Sequence, residues 1–429
     1  MKIKKIFTFL ILSIILFSNS IVIGADTASL NIYCPSVILI DSTTGKVLYE
    51  KNANEKMYPA SVTKIMTAIL VIENCNLTDI VKASYSALES VPYDYSIIDI
   101  KLDEELTIEQ LLYATMVPSA CDASAVLAEH VSGSIENFAT LMNQKATELG
   151  CTNTHFTNPG GIYDDNHYTT ANDLAKISQY AMKNSIFRTI VLTKTYVIPN
   201  TNKSESRELN NTNLLLEPDD SSSPDNYYYR FATGIKTGYT DEGGYTLAAS
   251  AKQENLEVIS VVLGAGSTAD YLSERYLDTK NLFTFAFNTY TQRSLVKKGD
   301  VLKQVEIKNA TKKTKDLNLI VEDNITVLIE KINLNSEVDT VMKLKDDLQA
   351  PIIQGELVGT LTYTVEGLTY TTNLTAGNDV QKFNNLIIII PAILAFIIIV
   401  LFGIRFYNLN FRKKNRYNNK KVIHVTNVK

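Results

Sequence analysis

The chain has 429 residues, 45% of them hydrophobic and 20% charged, enough for more than one domain and a sizeable core. Its formal charge of −5 conceals an asymmetry: three lysines lie near the N-terminus and eight Lys/Arg follow Ile404, so the segment between holds 30 basic residues against all 46 acidic ones, a net charge near −16. That balance excludes a nucleic-acid binder, which needs a basic surface for phosphate.

In chain order, Lys2, Lys4 and Lys5 precede an apolar run from Ile6 to Phe17, with small residues at Gly24 and Ala25. This predicts an export leader over 1–25, cut before Asp26. A retained N-terminal anchor is the alternative, against which stands the polar Ser18-Asn19-Ser20. Ser36–Asp41 and Lys46–Tyr49 read as strands around a Thr43-Thr44-Gly45 turn. Val62, Ile65, Met66, Ile69 and Leu70 then recur at helical spacing after Pro59, with Ser61 and Lys64 sharing a different face.

Thr107-Ile108-Glu109-Gln110 is a capping box opening a helix that buries Leu111, Leu112 and Met116 and ends at Pro118. Further helices are expected from Asp122 to Val131, from Ile135 to Leu149 and from Thr170 to Met182. Between the last two lies a loop with a turn at Asn158-Pro159-Gly160-Gly161. The polar stretch 200–226, with its Asp219–Asp225 run, reads as a surface loop or mobile segment. Strands over Phe231–Lys236, Tyr245–Ala251 and Glu257–Leu263 lead to a helix from Tyr271 to Asn288. The order predicts an α+β fold, an antiparallel sheet covered by helices.

After Arg293 short alternating runs indicate a small β domain, giving boundaries of 26–290 and 291–378. Within it Lys298-Gly299-Asp300-Val301 is echoed by Gln354-Gly355-Glu356-Leu357, as a reused turn or a true repeat. After a polar linker ending at Asn385, Leu386–Ile404 is 19 residues without a charge, enough to cross a bilayer core. The tail 405–429 carries eight Lys/Arg and no acid, which places it in the cytoplasm and the segment before the helix outside.

Ser61-x-x-Lys64 pairs a hydroxyl with an amine one helical turn on: a nucleophile and its base, or a helix start and a solvated lysine. The chain has a second such spacing at Ser294–Lys297, so the spacing alone decides little. Ser119 with Asp122 fits a capping box, and Lys236-Thr237-Gly238 fits a strand end. Together, and in this order on helix start, interhelical loop and strand, they match the three-motif arrangement of penicillin-binding proteins and class A β-lactamases.

The chain resembles the serine D-alanyl-D-alanine carboxypeptidases, the low-molecular-weight penicillin-binding proteins. The likeness extends through Pro59–Thr67, Asn153–Gly161, His167–Ala171, Gly234–Thr240, Gly244-Tyr245 and Ala248–Ala251, covering Pro35 to Phe287. It implies the penicillin-binding-protein/β-lactamase-like fold, no cofactor or metal, and partners in peptidoglycan stem pentapeptide and β-lactam antibiotics. By resemblance Ser61 attacks the D-Ala-D-Ala carbonyl and Lys64 takes its proton. Ser119 relays a proton to the leaving amine. Lys236 and Thr237 hold the substrate carboxylate, and the N–H groups of Ser61 and Tyr239, beyond Gly238, form the oxyanion hole. Arg275 assists with the carboxylate or makes a surface ion pair. His155 and His167 are expected to be structural.

Cys34, Cys75, Cys121 and Cys151 show no CxxC pairing and no histidine cluster at metal spacing, so neither zinc nor a disulfide scaffold is expected. Cys121 departs from the family, which usually has Asn there; a thiol is a weak donor and acceptor where Asn offers both roles. It reads as a substrate-orienting position, a buried structural thiol or a redox-sensitive one. Two other functions remain open: an anchored β-lactamase, against which stands the absence of a Glu-x-x-Leu-Asn stretch, and a weakly catalytic pentapeptide-binding scaffold.

Overall fold

Six successive buried residues form strand β1 (Ser36–Asp41), and β2 (Val47–Lys51) returns beside it. A strand covered on both faces needs no polar alternation. The computed structural model describes residues 30–217, 227–266 and 269–425. The leader and the Asp219–Asp225 run lie outside the described residues.

A 3-10 turn at Ala60–Thr63 leads into α1 (Lys64–Asn74). Short β3 (Ile80–Lys82) and α2 (Tyr85–Glu89) precede β4 (Glu105–Thr107), which pairs with β3. In α3 (Ile108–Met116) the expected capping box is complete: Gln110 N–H donates to Thr107 Oγ1 at 3.2 Å, and Thr107 N–H donates to Gln110 Oε1 at 2.8 Å. The helices α4 (Cys121–Ser132), α5 (Ile135–Glu148), α6 (Ala171–Ala181) and α7 (Ser185–Leu192) follow. Gly133 closes α4 at φ 78°, a left-handed position suited to glycine.

The polar region after 200 is not a plain loop. Within it β6 (Arg207–Asn210) pairs with β5 (Thr195–Ile198), and Leu209, Leu215 and Leu216 are buried. Then come β7 (Ala232–Thr240), β8 (Gly244–Gln253), β9 (Leu256–Ala265) and α8 (Ala269–Thr289).

The main sheet runs β2-β1-β9-β8-β7, antiparallel throughout, with β7 at its edge. Ile38, Ile40, Ala248, Ile259 and Val261 share the core with α1, α3 and α4. Their neighbours Val37, Leu39, Leu247, Val258 and Val262 are just as buried, on the side where α8 packs against β8 and β9. Each such aliphatic chain contributes roughly 1.5–3 kcal/mol by leaving water. The antiparallel sheet covered by helices is thus as expected. All four cysteines are free thiols.

A second compact unit begins after Thr291. Its strands are β10 (Tyr290–Val296), β11 (Val301–Glu306), β12 (Asp316–Val321), β13 (Ile325–Glu330), β14 (Asp339–Leu344), β15 (Leu357–Val365) and β16 (Leu368–Ala376). Five form a sheet in the order β11-β12-β16-β15-β14, and β10 pairs with β13. Leu317, Leu319, Val327, Val358 and Leu374 are among its buried core.

The sequence echo is a repeated device. Gly299 (φ 87°) donates to Val321 O while Val321 N–H donates to Asp300 O; Gly355 (φ 85°) donates to Ala376 O while Ala376 N–H donates to Glu356 O. Each pair ties a glycine turn to the end of a strand. Of the second Ser-x-x-Lys, Ser294 lies in strand β10 and Lys297 just beyond its end, so the pair does not share a helix face. The final helix α9 (Leu386–Val425) contains Pro391 and runs on into the basic tail. Its segment Leu386–Lys414 is long and apolar enough to cross a membrane, and an 18-residue window of it has mean hydropathy 3.3 with none of that window buried.

Candidate active site

Ser61 sits in the 3-10 turn, one residue after Ala60 at φ 52°, and Lys64 is the first residue of α1. The turn is held from three sides. Thr246 Oγ1 donates to Pro59 O at 3.1 Å. Gly161 packs so closely that a β-carbon there would lie 1.9 Å from Ala60 O. One on Gly238 would lie 2.9 Å from Ser61 N. The stripe predicted one buried face for this helix; instead every residue from Lys64 to Val71 is buried. The face carrying Lys64 is covered by α4 and by the 158–161 loop rather than by water.

Lys64 Nζ is fully enclosed and contacts Ser61 Oγ at 2.9 Å, Gly160 O at 2.6 Å and Cys121 Sγ at 3.3 Å. These are as many contacts as an amine has directions. Lys64 Nζ donates to each of the three.

Ser119 does not cap the next helix. The cap position is Ala120, without a side-chain bond, and Ser119 adopts φ 73°, a strained conformation for a non-glycine residue. Asp122 instead accepts N–H bonds from Ile98 (3.2 Å) and Ile100 (3.0 Å), while Cys121 N–H donates to Ser96 O at 2.7 Å. Burial raises the Asp122 pKa, and these backbone donors oppose it. The head of α4 therefore fixes both Ser119 and the 94–100 loop that walls the cleft.

On the other side β7 presents Lys236, Thr237, Gly238 and Tyr239. Lys236 is buried, and Nζ donates to Thr237 O at 3.1 Å. Burial first, then the charges of Lys64 and Arg275, push its pKa well below the ordinary lysine range, with Cys121 opposing. Thr237 Oγ1 and Thr212 Oγ1 lie 2.6 Å apart. Tyr239 is 40% exposed, and its hydroxyl donates to Asp241 at 2.6 Å; that bond pushes the phenol up to about 12. Arg275 is not at the surface: it is 7% exposed, Nη1 donates to Gly238 O at 3.1 Å and Thr246 O at 3.3 Å, and among the described residues it makes no ion pair.

A cleft of about 490 Å³ is lined by Ser61, Ser119, Thr212, Thr237, Gly238, Tyr239 and Arg275, with Asp94, Asp241 and Glu242 also along its walls. Lys64, Cys121 and Lys236 lie behind its wall. His155 and His167 do not line it. His155 Nδ1 lies 2.6 Å from Asn166 O, and burial pushes the His167 imidazole down to about 3.

Residues 24–267 match the family described as D-alanyl-D-alanine carboxypeptidase, and residues 290–382 match the penicillin-binding protein 5 C-terminal domain. The chain belongs to the D-alanyl-D-alanine carboxypeptidase family. It is 36% identical over 350 residues to D-alanyl-D-alanine carboxypeptidase DacF of Bacillus subtilis, covering 80% of this chain and 85% of that one. Penicillin binding protein 5 from Haemophilus influenzae superposes with a TM-score of 0.64 at 29% identity, over 82% of this chain and 98% of that one. The DD-transpeptidase of Streptomyces K15 gives 0.53 at 34%, over 60% and 97%. Solved variants of the latter replace a serine and a cysteine two positions apart, the spacing of Ser119 and Cys121.

Several parts of the carboxypeptidase cleft carry no sequence signal. Thr212 lies in the polar stretch after β6 and reaches the cleft only because β5 and β6 pair. Tyr95 and Ser96 arrive through bonds to Tyr163 N–H and Cys121 N–H, and Gly160 acts through its carbonyl, which every residue possesses. The serine peptidase's hydroxyls and lysines were each legible as residue types; their partners were not.

Proposed function

We propose that this carboxypeptidase trims the terminal D-alanine from peptidoglycan stem pentapeptides through an acyl-enzyme on Ser61. The observation carrying this is the Ser61–Lys64 contact, with the other two directions of the amine occupied by Gly160 and Cys121. Ser61 Oγ attacks the carbonyl of the penultimate D-alanine as its proton passes to Lys64 Nζ. The N–H groups of Ser61 and Tyr239 receive the oxyanion. The C–N bond breaks, and Ser119 hands its proton to the departing amine while taking up the one that Lys64 received from Ser61. Water then cleaves the ester and frees Ser61. Lys236, Thr237 and Arg275 bind the terminal carboxylate. Because β7 is the sheet edge, its outward amides can pair with an extended peptide. β-Lactams acylate the same serine. Helix α9 anchors the chain in the membrane, with the basic tail in the cytoplasm and the catalytic unit outside, where cell-wall maturation supplies the substrate.

The full chain in detergent, given a synthetic pentapeptide, should release one D-alanine per tetrapeptide formed, and penicillin should add its mass to the peptide containing Ser61. Fast penicillin hydrolysis without D-alanine release would identify a β-lactamase instead, and pentapeptide binding without release a scaffold.

Cys121 occupies the position from which an amide would serve both Lys64 and the substrate. Cys121→Asn should keep D-alanine release equal or raise it by up to about tenfold, ~1.4 kcal/mol of barrier. A collapse of release in the folded variant would show that the thiol itself is used.

A further inference from the structure

His167 lies outside the cleft, yet it joins the two segments that set the geometry of Ser61 and Lys64. Its Nδ1 accepts the backbone N–H of Thr157 at 3.1 Å. An amide N–H has nothing to accept with, so Nδ1 carries the lone pair and the proton of the neutral ring is on Nε2. That Nε2 lies 2.9 Å from Thr63 Oγ1, to which it donates. Thr63 belongs to the 3-10 turn of Ser61 and directly precedes Lys64. Thr63 is fully buried and His167 is 2% exposed, so the bond between them is shielded from water, while Thr157 is half-buried.

On the Thr157 side the next residue, Asn158, organises the loop. Its Oδ1 accepts the N–H groups of Gly160 (3.2 Å), Gly161 (2.8 Å) and Ile162 (2.9 Å). This turn aims Gly160 O at Lys64 Nζ. Two arms therefore meet at Lys64: the turn carrying Ser61 from one side and the loop carrying Gly160 from the other. The imidazole hydrogen-bonds to both, beside Lys64 itself and the bond that Thr67 Oγ1 of α1 donates to Pro159 O at 2.7 Å.

We propose that His167 is a positioning residue that clamps the Thr157–Ile162 loop to the Ser61 turn and so holds the Gly160 carbonyl on the Lys64 amine. This rests on the reading of Ser61 and Lys64 as nucleophile and base. The clamp acts on the chemical step and not on peptide binding, because Thr212, Thr237 and Arg275 lie across the cleft on other elements. A displacement of the order of 1 Å at the reacting atoms is worth about 100-fold in rate.

The test uses the full chain in detergent with His167→Asn, Thr63→Val and the double variant. Asn keeps an acceptor near the Nδ1 position and loses the donor to Thr63; Val removes the other end of that bond. Acylation by fluorescent penicillin is timed per labelled site, so unfolded chains do not count. Pentapeptide affinity is measured in the same variants on a Ser61→Ala background. Each single variant should acylate at least tenfold more slowly, with affinity within twofold of the parent. The double variant should be no slower than the worse single one, since both break one link. Wild-type acylation by a folded Thr63→Val variant, multiplicative loss in the double variant, or affinity falling as far as rate would overturn the clamp. If the parent chain itself is not acylated at Ser61, the reading of the active site fails rather than the role of His167.

Discussion

Ser61→Ala abolishes D-alanine release, with kcat falling by on the order of 10^5–10^6, and penicillin no longer labels the chain. The hydroxyl is the group 2.9 Å from Lys64 Nζ, and among the described residues no other cleft hydroxyl bonds a buried amine. Ser119 also lines the cleft, so it is the residue that would have to substitute. Among the described residues Lys64 Nζ bonds to Ser61, Cys121 and Gly160 and not to Ser119. Lys64→Met should cost nearly as much rate while fitting an enclosed site of similar length and no charge. Because the proposed nucleophile and base act as a unit, the double variant should be little worse than either single one. Release and labelling per folded chain are the measurements. Labelling that survives Ser61→Ala would place the nucleophile elsewhere.

Gly161→Ala should cripple the enzyme without touching a side chain of the site. Gly161 has φ +76°, where an L-residue is strained by about 1–2 kcal/mol. The added methyl would also lie 1.9 Å from Ala60 O and 2.4 Å from Ala60 C. Those are backbone atoms of the turn that carries Ser61, so relief requires moving the nucleophile or the Gly160 carbonyl. Acylation should fall by at least about 100-fold, with a drop of several degrees in unfolding temperature. Gly150→Ala is the control: φ +72°, but nothing within 4 Å of the new methyl. It should lose a fraction of the stability and keep the acylation rate. Equal behaviour of the two variants would show that the clash is absorbed elsewhere.

Where local chemistry decides structure, the reading from residues was good. The Thr107–Gln110 box is a contact within four residues, and it forms as expected. The strands around Gly45, those following Gly244 and the helix stops at Gly133 and Gly150 depend on neighbours in sequence. The misreadings share a cause. The Ser119–Asp122 spacing also fitted a cap, the alternative to the catalytic role that the resemblance gave Ser119. The Asp122 carboxylate, however, is taken by Ile98 and Ile100 N–H from a distant loop, which leaves Ser119 free to face the cleft. The stretch after 200 looked like a loop because its polarity hides how much Leu209 gains once β5 pairs with β6.

Ser61-x-x-Lys64, Ser119 and Lys236-Thr237-Gly238, in that order, are chemistry written directly in side chains, and with the apolar run at Leu386–Ile404 they determined the family and the architecture. What waited for the tertiary structure was everything that depends on backbone atoms and on distant partners. It showed why Lys64 lies in no water, that its third contact is the carbonyl of Gly160, and that Arg275 reaches Gly238 and Thr246 rather than the surface. It also placed His167 between the Ser61 turn and the loop facing it. A carbonyl or an amide is the same in every residue, so its use is invisible until the chain folds it into place.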